Sequence, residues 1–178
     1  MDNIGNITSI RSITNTIAAY HANVDHKTVG KYIDLLCRAF AFYRIRRYDI
    51  KEKEYLRSED KYYLSDQSFR YARLGTKSMD HGRILENIVA IELLRRGYEV
   101  YVGVLYNKEI DFVALKQGEK IYIQVANDIS DPATFNREVS PLLQIRDAYP
   151  KIIIARTYQP RYQHEGIEIV DASEWLSK

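Results

Sequence analysis

Three residues of this 178-residue chain have the types and the order to hold a divalent cation: Glu86, Asp111 and Gln124. Oxygen donors converging on Mg²⁺, with open positions left for water and phosphate, support hydrolysis of a phosphodiester. That chemistry also wants a cation beside the attacking water. The position two residues after Gln124 holds Ala126, which supplies none. Lys108, Lys116 and Lys120 are the lysines near enough in sequence to stand in, yet Lys108 and Lys116 fall at strand ends and Lys120 is six residues from Ala126.

Asp111 and Gln124 are placed by a hairpin. Glu109-Ile-Asp-Phe-Val-Ala-Leu-Lys116 and Glu119-Lys-Ile-Tyr-Ile-Gln-Val-Ala126 flank Gln117-Gly118, a two-residue turn signal. Closing that turn sets Leu115 opposite Lys120, Val113 opposite Tyr122 and Asp111 opposite Gln124. Period-2 alternation then puts Ile121, Ile123 and Val125 on one apolar face, with Glu109, Asp111 and Gln124 gathered on the other. The same alternation fits a half-solvated sheet with ordinary polar residues outside. Glu86 lies on a helix over Arg83–Arg96, closed by Gly97 and apolar around most of its circumference. It shares a stripe with Ala90 and Leu93, where a carboxylate needs a partner.

Composition sets the frame. Hydrophobic content of 46% and charged content of 28% are those of a globular protein, and a net charge of +2 means any nucleic-acid surface must be local. One cysteine, Cys37, excludes an internal disulfide and reads as a buried structural thiol in a helix. There is no run long enough for a membrane span and no signal-peptide core, so a cytoplasmic protein is expected. His26 and His81 lack partners at zinc-ligand spacing. The fifteen tyrosines fit sheet-surface packing better than base stacking.

Ahead of the hairpin, residues 8–21 carry Ile10, Ile13, Ile17 and Tyr20 on one helical stripe. After the break Ala22–His26, a second helix starts near Asp25 as N-cap, with Val29, Tyr32, Ile33, Leu36 and Phe40 inward. Two helices and a short turn predict a helix-turn-helix. Residues 41–49, a charged turn over 51–60 and the strand 61–64 complete a β-wing. The segment 66–75 forms a short helix. Lys27, Thr28 and Lys31 on the second helix, with Arg44, Arg46 and Arg47 on the wing, are the candidate DNA contacts, the helix for the major groove and the arginines for phosphates. Beyond the Glu86 helix come strands near 98–105, 109–115 and 120–126 and a helix near 132–148 that restarts at Pro141 with Ser140 as cap. Buried strands over 151–155 and 167–170 follow.

Glu86, Asp111 and the Gln124-x-Ala126 strand resemble, in order, the PD-(D/E)XK nuclease motif, with Gln124 in place of a carboxylate and Ala126 in place of the lysine. More specifically, the chain resembles the C-terminal part of AAA-type ATP-binding proteins carrying domain-of-unknown-function family 4143. The matching stretches include Thr28-Val-Gly-Lys-Tyr-Ile-Asp-Leu-Leu36, Lys61-Tyr-Tyr-Leu-Ser-Asp66, Gly82-Arg-Ile-Leu-Glu-Asn87, Glu109-Ile-Asp-Phe-Val113 and Ile123-Gln-Val-Ala126. The resemblance implies an α/β protein: a truncated winged helix-turn-helix over 1–64, lacking its first helix, a connector over 65–79, and a restriction-endonuclease-like domain with a mixed sheet over 80–178. It implies a degenerate site in which Glu86 and Asp111 are the metal ligands if any survive, with Mg²⁺ as cofactor only if the site is active. No Gly-x4-Gly-Lys-Ser/Thr occurs, so ATP binding is not expected of these residues. The expected partners are DNA, a protein, or the ATPase module of a full-length relative. No membrane is expected among them.

Overall fold

The computed structural model describes residues 4–20, 24–56, 59–75 and 80–178. Parts of the expected helix break (Ala22, Asn23), of the charged turn (57–58) and of the connector (76–79) lie outside the described residues. Packing divides the chain into two units, Met1–Arg47 with Leu56–Met79, and Tyr48–Tyr55 with Asp80–Lys178.

In the first unit, α1 (Ile10–Tyr20) follows Ser9, whose hydroxyl accepts the Ser12 N–H at 3.1 Å. Thr14, its one buried residue, returns its hydroxyl to the Ile10 carbonyl at 2.8 Å and so spends its polar atom inside the helix. Helix α2 (His26–Arg38) starts after Asp25, as its sequence predicts, but the Asp25 carboxylate turns to His26 and makes no capping bond. Strand β1 (Phe42–Ile45) pairs antiparallel with β4 (Lys61–Leu64), all four residues of which are buried, and α3 (Ser68–Leu74) follows. The expected wing strand over 41–49 is split. Its second half is β2 (Arg47–Asp49), which pairs with β3 (Glu54–Tyr55) at the edge of a different, eight-stranded sheet. Burial explains the split, because Tyr48 and Ile50 belong to the apolar cluster under that sheet.

The second unit is that sheet with helices. After α4 (His81–Arg95), strands β5 (Glu99–Leu105), β6 (Lys108–Lys116) and β7 (Glu119–Ala126) run as an antiparallel meander. Helix α5 (Pro132–Leu143) crosses to β8 (Lys151–Ala155), parallel to β7, and β10 (Ile167–Asp171) lies parallel to β8. The order is β3-β2-β5-β6-β7-β8-β10-β9, with β9 (Tyr162–His164) antiparallel on β10. The result is a mixed α/β fold. Neither β9 nor the terminal α6 (Ala172–Leu176) carries a periodic signal long enough to be read from sequence.

One sheet face packs Val113, Tyr122, Ala126, Ile153 and Ile169 against Val139 and Leu142 of α5. The alternating residues Phe112, Ile123, Val125, Ile154 and Val170 are also buried, so the hairpin is covered on both faces and is not half-solvated. Pro141 does not restart α5. It sits in the last turn, between buried Val139 and Leu142, and the Ser140 hydroxyl accepts from Lys108 at 2.8 Å instead of capping. The Glu92 carboxylate holds Arg95 and Arg96, which keep it down at about 2. Arg96 lies 4.1 Å over the Trp175 ring and donates to the Trp175 carbonyl at 2.6 Å, fastening α6 to the end of α4.

Two stability predictions follow from this packing. A β-carbon on Gly103 would stand 2.9 Å from Ile110, Ile50 and Val113 at once, beside a bulge in the β5–β6 ladder. Gly103→Ala is expected to lower unfolding free energy by about 1–3 kcal/mol in urea titrations, as overpacking does. Buried Asp171 caps α6 and takes the Ser173 hydroxyl and the Tyr158 and Ser173 N–H groups, which hold its carboxyl down at about 2. A depressed folded-state pKa adds stability that is present above pH ~4 and lost as pH falls through the folded value. Asp171→Asn should therefore lower Tm at neutral pH, with the gap to the parent closing toward about pH 2.

Candidate functional site

The hairpin turn takes the form its residues allow. Gln117 and Gly118 have φ of 51° and 86°, the paired left-handed conformation of a type I′ turn. The ladder sets Lys120 opposite Leu115 and Tyr122 opposite Val113, ending at Phe112 opposite Ile123. One step further the strands are joined by side chains. The Asp111 N–H donates to Gln124 Oε1 at 2.7 Å, and the Val125 N–H donates to Asp111 Oδ2 at 2.8 Å. Two backbone donors at a point of divergence are thereby satisfied without a ladder.

Gln124 is 5% exposed, and its other end is spent as well: Nε2 donates to Glu138 Oε2 of α5 at 3.1 Å. The partners fix the amide's orientation, since a carboxylate accepts and an N–H donates. Glu138, itself 7% exposed, takes Nε and Nη2 of exposed Arg137 on its second oxygen at 3.0 and 2.8 Å. Sequence reasoning missed Glu138. The available signal was its place on the α5 stripe with Phe135, Pro141 and Leu142, where a carboxylate needs a polar partner from the sheet.

Asp111 and Gln124 are therefore brought together as the sequence predicts. Glu86 stands half-buried on α4, which packs over β5, β6 and β7. These residues do not fit a hydrolytic Mg²⁺ centre. The only ligating atom of Gln124 is turned onto a backbone N–H, and one Asp111 oxygen holds Val125. The position two residues on, Ala126, is part of the apolar cluster with Ile129 and Val139. Among the described residues no three His, Cys, Asp or Glu side chains converge as a metal-holding group. The substitute lysines are engaged elsewhere. Lys108 bonds Ser140, Lys116 donates to the Arg96 carbonyl, and Lys120 lies 5.0–5.8 Å from the rings of Tyr48, Tyr122 and Tyr149. Burial, and Asp147 accepting the Tyr122 hydroxyl at 2.5 Å, push that phenol up and keep it neutral.

The candidate DNA contacts divide into two sets. Lys27, Thr28 and Lys31 are exposed on α2, and Lys27 and Lys31 join Arg11 and Arg38 along a groove of about 590 Å³ between α1 and α2. Arg46 is exposed. Arg44 bonds Asp34 and lies over Tyr62, while Arg47 bonds Glu59 at 2.8 Å, so two of the three wing arginines are committed within their own unit. The expected inward stripe of α2 is only partly covered. Val29 is buried, but Tyr32, Leu36 and Phe40 are 62%, 42% and 68% exposed, with Leu35 beside them at 48%. Cys37 is half-buried, and burial pushes its thiol up, away from nucleophilic use. No described helix is long and apolar enough to cross a membrane.

Residues 1–80 match the family described as Domain of unknown function (DUF8612). The chain is 42% identical over 175 residues to an uncharacterized protein of Haemophilus influenzae, an alignment covering 98% of this chain and 43% of that protein. It is 26% identical over 127 residues to the uncharacterized protein MJ1544 of Methanocaldococcus jannaschii, covering 69% of this chain and 28% of that one. The chain thus spans less than half the length of these curated relatives.

Gln124 gives the site a direct test. Gln124→Ala leaves the Asp111 N–H and the Glu138 carboxylate short of a partner, at about 1–3 kcal/mol for each buried group. Paired with Glu138→Leu it should cost less than the sum of the two single changes. Additivity in a double-mutant cycle of denaturation midpoints would separate the two residues energetically.

Proposed function

We propose that this chain is a binding module: part of a longer ATPase-family protein, combining a winged-helix-like segment over 1–64 with a PD-(D/E)XK-like domain over 80–178 whose hydrolytic centre has become a structural clasp. The observation that carries the reading is the Gln124 amide, spent at both ends on Asp111 and Glu138 where a nuclease needs an open ligand. That the chain aligns with less than half the length of its relatives supports its being one part of a longer protein. The binding element is α2. Lys27 and Lys31, with Arg46, present the local positive charge that a net charge of +2 otherwise denies, Thr28 adds a hydroxyl beside them, and their partner is DNA. A protein partner is the second reading, favoured by the exposed Tyr32, Leu35 and Leu36 of the same helix and Phe40 just beyond its end.

Two measurements decide between these readings. Incubation with plasmid and linear DNA in Mg²⁺ or Mn²⁺ should give no cleavage above that of Asp111→Ala. Cleavage abolished by that change would make Glu86 and Asp111 a working metal site and overturn the binding-only reading. Anisotropy titrations with duplex DNA should show affinity that falls with salt. Combining Lys27→Ala with Lys31→Ala should reduce the slope of log K against log salt by about 2. Arg47→Ala should leave that slope unchanged, since Arg47 is paired with Glu59. No binding at low salt sinks the DNA reading and leaves the apolar face of α2 for a protein.

A further inference from the structure

The second unit carries a crevice that the clasp does not use. Strands β7 and β8 are parallel and in register, Ala126 beside Ala155, so the chain leaves both at the same end of the sheet. The departing segments 127–130 and 156–159, with Tyr162 of β9, enclose a cavity of about 470 Å³. Crevices beyond the carboxyl ends of parallel strands are where open α/β sheets take ligands, and this volume is in the range of small-molecule sites.

Its walls carry three kinds of chemistry. Arg156 is exposed, and among the described residues no carboxylate pairs with it. Its Nη2 donates to the Tyr158 hydroxyl at 2.7 Å and its Nη1 reaches Asn127 Oδ1 at 3.5 Å, which aims the guanidinium and leaves N–H groups to spend on an anion. Tyr158 is 79% exposed although its backbone is held left-handed at φ 54° by the bond from its N–H to Asp171 at 2.7 Å. A bulky residue fixed in that conformation with its ring in solvent is a costly arrangement that outward packing does not explain. Asp128 accepts the Ser130 N–H at 2.8 Å, which lowers its carboxyl and keeps it an acceptor for hydroxyl or amino groups.

Together these walls discriminate among ligands. A simple anion has no use for the rings and is repelled by Asp128. A neutral sugar has no use for an unpaired guanidinium. A phosphorylated nucleoside offers an anion, a planar ring and hydrogen-bond donors in one molecule. We propose that this crevice binds a nucleotide, free or as a unit of a single strand, with phosphate on Arg156, base against Tyr158 and Tyr162, and hydroxyl or amino groups on Asp128 and Asn127. The site is independent of α2.

Calorimetric titration of the full chain with AMP, GMP, CMP and UMP, with adenosine, and with ten-residue oligo-dT and oligo-rU tests it. At least one mononucleotide or oligomer should bind. Arg156→Gln should weaken that binding about 10-fold or more, as loss of a charge-assisted contact does. Tyr158→Asn, which suits the left-handed backbone, should weaken it by about 5-fold or more through lost stacking. Adenosine should bind more weakly than AMP. Binding of mononucleotides identifies the free ligand as the source, and binding of oligomers alone identifies a strand. Both side chains are exposed, so by circular dichroism Arg156→Gln should melt with the parent and Tyr158→Asn, relieved of its backbone cost, at or above it. No binding by the parent, or equal binding by Arg156→Gln, overturns the proposal. Lys27→Ala with Lys31→Ala should leave the mononucleotide titrations, and the drop in oligomer affinity on Arg156→Gln, unchanged, so failure here and failure of the α2 reading are separate results.

Discussion

Where β6 and β7 part, two backbone N–H groups lose their ladder partners in a sheet covered on both faces, and water is not at hand to replace them. Much of the site's character follows from that constraint. An unpaired buried amide costs about as much as a lost hydrogen bond, so side chains must reach into the gap. Asp111 and Gln124 do so in opposite directions, one receiving Val125 and the other receiving Asp111 itself. The amide's remaining end then requires an acceptor, and α5 supplies Glu138, which requires a cation, supplied by Arg137. The chain of obligations runs from strand backbone to solvent through four residues. A metal would have to compete with each of them.

The hairpin was legible because a Gln-Gly turn between two alternating runs permits one register, and a shift of one residue would turn every apolar side chain over. Asp111 and Gln124 could thus be placed opposite each other from sequence alone. What alternation could not reveal was that both faces are buried, since Gln124 reads as polar and hence outward until its partner on α5 is known. Glu138 lies beyond the hairpin and is tied to it only by the tertiary crossing of α5. The same limit explains the wing. Residues 41–49 form one continuous strand signal, and only the cluster that receives Tyr48 and Ile50 shows that the strand serves two sheets. Pro141 misled for the opposite reason: the penalty for proline inside a helix is real, but here the last turn absorbs it between buried neighbours.

Charge is managed by pairing. Arg44, Arg47, Arg96, Arg137 and Arg161 each meet a carboxylate in their own unit, which spends these guanidinium groups on holding the fold. Against that background the cations left over carry more information than the total. Lys27 and Lys31 sit along one groove, and Arg156 at the mouth of another. A chain of net charge +2 can still present positive surface in two places because several of its other arginines are paired with carboxylates in place.

The excursion of Tyr48–Tyr55 into the second unit means that the peptide chain passes from one unit to the other three times. A cut near residue 80, where the match to the uncharacterised family ends, would not release two intact bodies. It would strip β2 and β3 from their sheet, take Tyr48 and Ile50 out of its apolar cluster, and leave β5 as a bare edge with open hydrogen-bonding groups. Unit boundaries drawn along the sequence and boundaries drawn through the packing are different lines in this molecule. An expressed fragment that respects only the first would be prone to self-association through that edge.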